Sequence, residues 1–295
     1  MMGGMDAMVS EPDRAVSFAK GHGTGNDFVV LPDPDGALAL TPEFVAAVCD
    51  RRFGVGGDGV LRVVRTAAHP EVAHRAAEAE WFMDYWNSDG SLAAMCGNGV
   101  RVYSRYLVES GLAEGPTVTV LTRAGVVVAE VGAEVAVSMP LPSVGGRGTA
   151  DVGGVIFTGT AATCGNPNLV CPVADLDTLS LDAVPRLDTM QFPESANVEF
   201  VVLAKDDVPG ADLHVAMRVI ERGSGETLSC GSGACAVAAV ALAGGLGTDP
   251  LTEGTVAIDV PGGRVTVSVS PDRCVLSGPA VLVATGEIDL ASLRA

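Results

Sequence analysis

The sequence predicts a mixed α/β (α+β) protein built from two related domains, and three observations carry that expectation. Met95-Cys96-Gly97-Asn98-Gly99 is echoed by Ser229-Cys230-Gly231-Ser232-Gly233, 134 positions further on, and each copy runs into an apolar, helix-like stretch. Gly25-Asn26-Asp27-Phe28-Val29 is echoed by Gly165-Asn166-Pro167-Asn168-Leu169, 140 positions further on. Two separate elements recurring at similar offsets point to an internal duplication. Most of the remaining sequence consists of short β-type runs punctuated by glycine. A chain of 295 residues has room for two domains of ordinary size, each with its own core.

Residues 1–14 have no apolar run and read as a disordered extension without a signal peptide. Ala15 to Ala19 and Phe28 to Leu31 read as strands on either side of a glycine-rich loop. That loop lacks the Gly-Lys-Ser/Thr ending of a phosphate loop. Thr41-Pro42-Glu43 starts a helix, with Thr41 as N-cap and Pro42 in the first turn, running to about Arg51-Arg52. A second glycine-rich loop, Phe53 to Gly59, precedes a strand through Val64. Arg65 to Glu80 is polar and alanine-rich and reads as a surface insertion. Trp81 to Trp86 reads as a strand delivering the chain to Asn87 and the first cysteine. The helix from Gly99 to Glu109 has Val100, Tyr103 and Leu107 on one face, with Arg101 and Arg105 expected in solvent. Gly111 stops it.

The pattern from Thr117 to Met139 is β, and Pro140-Leu141-Pro142 reads as a domain crossing. Further strands are expected near Val155 to Phe157, Asn197 to Val201 and Leu213 to Ile220. The helix from Ala234 to Ala243 is apolar on every face and should be buried. A hairpin over Val256 to Val269 and a strand at Ala280 to Ala284 complete the chain. The domains are expected at 15–138 plus 279–295, carrying Cys96, and at 139–278, carrying Cys230.

The formal charge of −18 argues against a nucleic-acid or anionic-membrane surface. Seven widely spaced cysteines read as reduced thiols of a cytoplasmic protein. The longest apolar stretch, Ala234 to Leu246, is too short to span a membrane. Cys230-x₄-Cys235 and Cys164-x₆-Cys171 lack zinc-ligand spacing, so no metal is expected. No dinucleotide fingerprint and no clear Schiff-base lysine is present, so no cofactor is expected.

The chemistry lies in the repeated Cys-Gly-polar-Gly. A helix start leaves backbone N–H groups unpartnered and attracts anions. Glycine lets that backbone approach a ligand. A cysteine placed there should have a stabilised thiolate and a lowered pKa. One copy alone is more often a packed thiol beside a turn, but packing gives little reason to repeat a cysteine with its flanking glycines. Two copies facing one small anion suit proton transfer at a carbon beside a carboxylate, with inversion: one thiolate removes a proton from one face and the other thiol delivers one to the opposite face. The developing negative charge would be held by preorganised N–H donors.

These residues resemble a known family, the diaminopimelate epimerases among the cofactor-independent amino-acid racemases. The resemblance runs through Lys20 to Phe28, Phe53 to Gly59, Asn87 to Ser91, Met95 to Gly99, Gly165 to Pro167, Asn197 to Glu199 and Glu221 to Gly233, in family order. It implies two pseudo-symmetric domains, each a β-barrel-like sheet around a central helix, with the active site in the cleft between them. It also implies interconversion of LL- and meso-2,6-diaminopimelate on the route to lysine and peptidoglycan. Cys96 and Cys230 would be the proton-transfer pair. Backbone N–H groups of Gly97, Asn98, Gly231 and Ser232 would cradle the reacting carboxylate. Asn26, Asn87, Asn166, Asn197, Glu221 and Arg222 would hold the rest of the substrate, with Arg222 on the distal carboxylate and Glu221 near an ammonium. The expected partners are a small-molecule substrate and a second copy in a homodimer. The chain departs from the family at Asn168, where a histidine near the thiols is usual, and at Gly59, where some members have glutamine.

Cys49, Cys164, Cys171, Cys235 and Cys274 read as packing residues, and His22, His69, His74 and His214 as ordinary. The alternatives are a proline- or hydroxyproline-type racemase and a non-catalytic thiol-redox or binding protein on the same fold.

Overall fold

The computed structural model describes residues 15–293, so the expected extension at 1–14 lies outside the described residues. Strands β1 (Ala15–Gly23) and β2 (Asn26–Pro32) form an antiparallel hairpin. Thr24 and Gly25 alone connect them, with φ of 51° and 82°. That left-handed pair matches the twist of a two-residue hairpin. The open loop expected from the glycines is therefore mostly strand. Helix α1 (Pro42–Cys49) is capped as expected, Thr41 Oγ1 accepting from Phe44 N. It ends before Arg51-Arg52, because Asp50 adopts extended geometry and its carboxylate accepts from Arg52 N and Phe53 N.

Then come β3 (Gly59–Arg65), β4 (Trp81–Asn87), α2 (Gly97–Glu109), β5 (Thr117–Thr122), β6 (Gly125–Val131) and β7 (Val135–Met139). The stretch between β3 and β4 is not a simple surface insertion. It contains two short 3-10 turns, and Val72 and Ala79 beside them are buried against Phe82 and Leu121. His69 is buried with them, its ring 5.0 Å from that of Phe82.

The second half runs through β8 (Ser143–Val152), β9 (Val155–Cys164), β10 (Asn166–Pro172), β11 (Arg186–Leu187), β12 (Asn197–Leu203), β13 (Leu213–Glu221) and β14 (Gly225–Thr227). It continues with α3 (Gly231–Leu242), β15 (Gly254–Val260), β16 (Gly263–Ser270), β17 (Arg273–Gly278) and β18 (Val281–Asp289).

The duplication is written in the pairing. In the first half β1–β2 is antiparallel, β2–β3 parallel, β3–β4 antiparallel, β4–β5 parallel, and β5–β6–β7 antiparallel. The second half repeats this order as β9–β10, β10–β12, β12–β13, β13–β15 and β15–β16–β17. β18 flanks β1 as β8 flanks β9, and β7 pairs with β17 to join the halves. Gly165, with φ of 77°, turns β9 into β10 as Gly25 turns β1 into β2.

Each half wraps one helix. α3 is buried from Gly233 to Leu242, as the apolar stretch that begins at Ala234 predicts. α2 buries Val100, Tyr103 and Leu107 as expected, but Arg101 is fully buried too. Its neighbour Arg105 is mostly covered, donating to the carbonyls of Gly132 and Ala133. The expectation of solvated arginines fails because β1, β2, β6, β7, β18 and α3 pack around α2 and leave only its C-terminal end near solvent. Among the described residues no helix is long and apolar enough to cross a membrane.

Candidate active site

The two cysteines cap the two central helices. Cys96 is the N-cap of α2 and Cys230 the N-cap of α3, both with extended backbone. The helix starts meet. A Cβ on Gly231 would lie 3.5 Å from Gly97 Cα, and Cβ atoms on Gly97 and on Gly231 would each lie 3.1 Å from Leu276 Cδ2. Glycine at these positions is what allows two helix ends, with their unpartnered N–H groups, to approach so closely.

Polar side chains tie the two ends together. Asn98 is buried, and its Nδ2 donates to Asn26 Oδ1 at 3.2 Å and to the Ser229 carbonyl at 3.0 Å. Asn26 Oδ1 also accepts from Cys96 Sγ at 3.5 Å. Asn26 is fixed from below by Asp58, which accepts its Nδ2 at 2.8 Å. Arg51 bridges Asp58 and Asp27, and Lys20 pairs with Asp27 and donates to the Gly56 carbonyl. A further link joins Thr24 and Ser229, hydroxyl to hydroxyl at 2.7 Å.

Around Cys230, Asn197 donates through Nδ2 to the sulfur at 3.8 Å and to Asn168 Oδ1 at 3.0 Å, and its Oδ1 accepts from Arg222 N at 2.9 Å. Ser232 Oγ lies 3.5 Å from Cys230 Sγ and accepts from Asn166 at 3.4 Å. Glu221 Oε1 accepts from Thr227 at 2.5 Å. The Arg222 side chain points outward, donating to the Glu194 carbonyl at 3.1 Å. Asn87, at the end of β4, donates to Ser91 at 3.0 Å. Thus Asn26, Asn98, Asn166, Asn197, Ser232 and both cysteines share one connected polar region, with Asn87 and the Arg222 guanidinium at its margin.

The electrostatics correct one expectation. The thiols are not acidified by their helix starts. Burial pushes Cys96 up to about 11, and hydrogen bonds from the Gly99 and Asn98 backbone recover only part of the shift. Cys230 is also pushed up, through burial first and then through Glu221 and Glu199. Loss of water outweighs the helix start, and the negative charge of Glu221 bears on both sulfurs. Glu221 itself is pushed up by burial, with Thr227 and Cys230 opposing.

Among the described residues no group of three or more His, Cys, Asp or Glu is arranged to hold a metal ion. The remaining thiols, Cys49, Cys164, Cys171, Cys235 and Cys274, are buried in the cores.

The chain is similar to known proteins. A family model described as diaminopimelate epimerase matches residues 18–142 and 160–287. The chain belongs to the diaminopimelate epimerase family. A diaminopimelate epimerase of Streptomyces coelicolor is 51% identical over 290 residues, covering 95% of this chain and 97% of that protein. Among solved structures, a PhzF-family phenazine biosynthesis protein of Bacillus anthracis matches with a TM-score of 0.65 at 20% identity, covering 93% of this chain and 99% of that one. A hydroxyproline epimerase of Agrobacterium vitis matches with a TM-score of 0.62 at 17% identity, covering 94% of this chain and 93% of that one. At such identities the likeness is one of fold.

Both departures from the family have a local account. Asn168 is fully buried and donates to the Asn166 carbonyl at 2.7 Å while accepting from Asn197, so it orients the amide that touches Cys230. A Cβ on Gly59 would come within 2.4 Å of the Trp86 carbonyl, so a longer side chain there requires β4 to move.

Two buried residues near the thiols escaped sequence reasoning, Arg101 and Glu199. Glu199 follows Asn197 by two positions in β12, and strand alternation puts both on the face toward α3. Arg101 follows Gly97 by four positions in α2, which puts it on the face of the helix start.

Proposed function

We propose that the protein interconverts LL- and meso-2,6-diaminopimelate by moving a proton at one α-carbon between Cys96 and Cys230. Membership of the epimerase family supports the activity, and one observation supports the mechanism: the two cysteine-capped helix starts abut. A substrate α-carbon held there would have a sulfur on each face. Its carboxylate would accept from the backbone N–H groups of Gly97, Asn98, Gly231 and Ser232, where two helix starts present preorganised positive charge.

Substrate charge would also set the thiols to work. Both are pushed up by burial and by Glu221. A bound ammonium beside Glu221 would cancel that carboxylate and add a nearby positive charge, so the thiols would lose protons more readily when substrate is present. One thiolate removes the α-proton, the developing charge spreads onto the cradled carboxylate, and the opposite thiol returns a proton to the other face. Atoms and charge balance without an added group, so no cofactor and no metal is invoked. Asn26, Asn87, Asn166 and Asn197 would hold the far end of the substrate, and Arg222 would turn from Glu194 to the distal carboxylate.

The repeated pairing order supports a domain division at 15–138 plus 279–295 and 139–278. A homodimer and a cytoplasmic location belong to the same proposal. The test is incubation of the reduced protein with LL-diaminopimelate, following the meso isomer by chiral chromatography. Conversion is expected, with L-proline and trans-4-hydroxy-L-proline left unchanged. Racemisation of either imino acid without conversion of diaminopimelate contradicts the proposal.

A further inference from the structure

One buried ionisable side chain stands behind each thiol, and neither has an ionic partner among the described residues. On the Cys96 side is Arg101, five positions along from the sulfur in α2, fully buried and within electrostatic reach of it. Its Nη2 donates to Thr24 Oγ1 at 3.1 Å and its Nε to the Pro279 carbonyl at 3.4 Å, while Nη1 has no partner among the described residues. The anionic or acidic groups facing it are Cys96 on its own helix, Cys235 on α3 and Glu134 on the β6–β7 turn. Burial pulls its pKa down to about 10, which still leaves a cation at neutral pH.

Behind Cys230 is Glu199, also fully buried. Among the described residues neither carboxyl oxygen has a hydrogen-bond partner beyond the side chain's own backbone N–H. It sits against the first turn of α3, where a Cβ on Gly233 would come within 2.6 Å of its Oε1. Glu199 faces Cys230, Glu221 from β13 and Cys171 from β10. The remaining ionisable groups that face the thiols are Glu221, which faces both, and Tyr85 from β4, which faces Cys96.

These two side chains act with opposite sign. A guanidinium keeps its charge, so burial without a carboxylate is unfavourable unless another anion forms beside it. The Cys96 thiol can become that anion. Glu199 and a Cys230 thiolate, by contrast, would be two negative charges at one helix start, and only one of them ionises readily.

We propose that Arg101 and Glu199 are positioning residues that polarise the thiol pair, so that Cys96 gives up its proton first and Cys230 remains a thiol. The free protein is then prepared for the epimer whose α-hydrogen faces Cys96, and meets the other epimer only after the proton has changed sulfurs. The inference rests on the reading of the two cysteines as acid and base.

The test is the pH dependence of carboxamidomethylation by iodoacetamide on the full-length reduced protein without substrate, resolved for each cysteine by mass spectrometry. The midpoint of rate against pH is read, so differences in access cancel. The Cys96 midpoint is expected about one unit or more below that of Cys230. Arg101→Gln should raise the Cys96 midpoint and leave that of Cys230 in place, and Arg101→Lys should restore it. Glu199→Gln, which keeps the shape, should lower the Cys230 midpoint alone. Equal or reversed midpoints in the unaltered protein, or no movement in Glu199→Gln, would overturn the inference. If Arg101→Gln does not fold, those two readouts decide. Turnover of Cys96→Ser and Cys230→Ser is measured separately. Lost turnover with equal midpoints sinks polarisation alone, and near-normal turnover in either variant sinks the reading beneath it.

Discussion

The first half places Cys96 at the head of a helix that carries a buried cation, and the second places Cys230 at the head of a helix that is apolar beyond Ser232, with a buried carboxyl beneath it. The backbones of the two halves share one pairing order, the short β11 and β14 of the second half aside, down to the left-handed glycine that turns each leading hairpin. Their charges are not. Duplication has kept the geometry that brings two helix starts together and has let the electrostatics behind each one diverge. A pair of identical sites would hold its proton on either sulfur equally. Unlike surroundings give the pair a direction.

The strongest way to break the comparison is to remove one sulfur at a time. Cys96→Ser and Cys230→Ser should each lower conversion of LL-diaminopimelate by about 10²–10⁴-fold, the usual contribution of a positioned acid or base. If only one mattered, the halves would not be partners. A smaller loss is expected from Glu221→Gln, which removes a charge acting on both thiols. The expected fall in kcat/KM is about 10–100-fold, as for a lost hydrogen bond to a charged group. Because burial raises the pKa of Glu221, the carboxylate is lost at less acid pH than for an ordinary glutamate. The acid limb of kcat/KM should therefore lie above the ordinary glutamate range and disappear in the variant.

Gly262→Ala tests the seam between the halves. A Cβ there would come within 1.7 Å of the Thr24 carbonyl, in the hairpin turn of the opposite half. Overpacking of this kind costs about 1–3 kcal/mol, and denaturant unfolding should register it. The smallest effect is expected at Asp27, which supports Asn26 through the Lys20–Arg51–Asp58 cluster. Burial acts to raise its pKa, but hydrogen bonds and charge from Arg51 and Lys20 outweigh burial and hold it below the usual carboxylate range. A depressed carboxyl stabilises above its unfolded pKa, near 3.9, and loses that contribution as pH falls through the folded value. Asp27→Asn should cost about 1 kcal/mol or less at neutral pH, given the exposed Arg51, and almost nothing in strong acid.

Much of this arrangement was legible in the sequence. The repeated Cys-Gly-polar-Gly marked both helix starts, and the repeated Gly-Asn pairs marked the duplication though not the hairpin turns they form, because an N-cap and a backbone without Cβ depend on local chemistry. What depends on enclosure was not legible. Arg101 looked solvated because nothing in α2 itself says that sheet closes over its polar side. The thiols looked acidic because a helix start is a local feature, while the burial that outweighs it arises only when two halves meet. Glu199 was open to discovery by counting two positions on from Asn197.

The most direct test of two sulfurs working across one carbon is a single turnover of LL-diaminopimelate on the reduced protein in heavy water, with deuterium located in the product by mass spectrometry and NMR. One deuteron is expected, at the inverted α-carbon only, since the delivering thiol has already exchanged with solvent. A meso product that keeps its original protium at that carbon would mean that one group both removes and returns the proton, and would contradict the account.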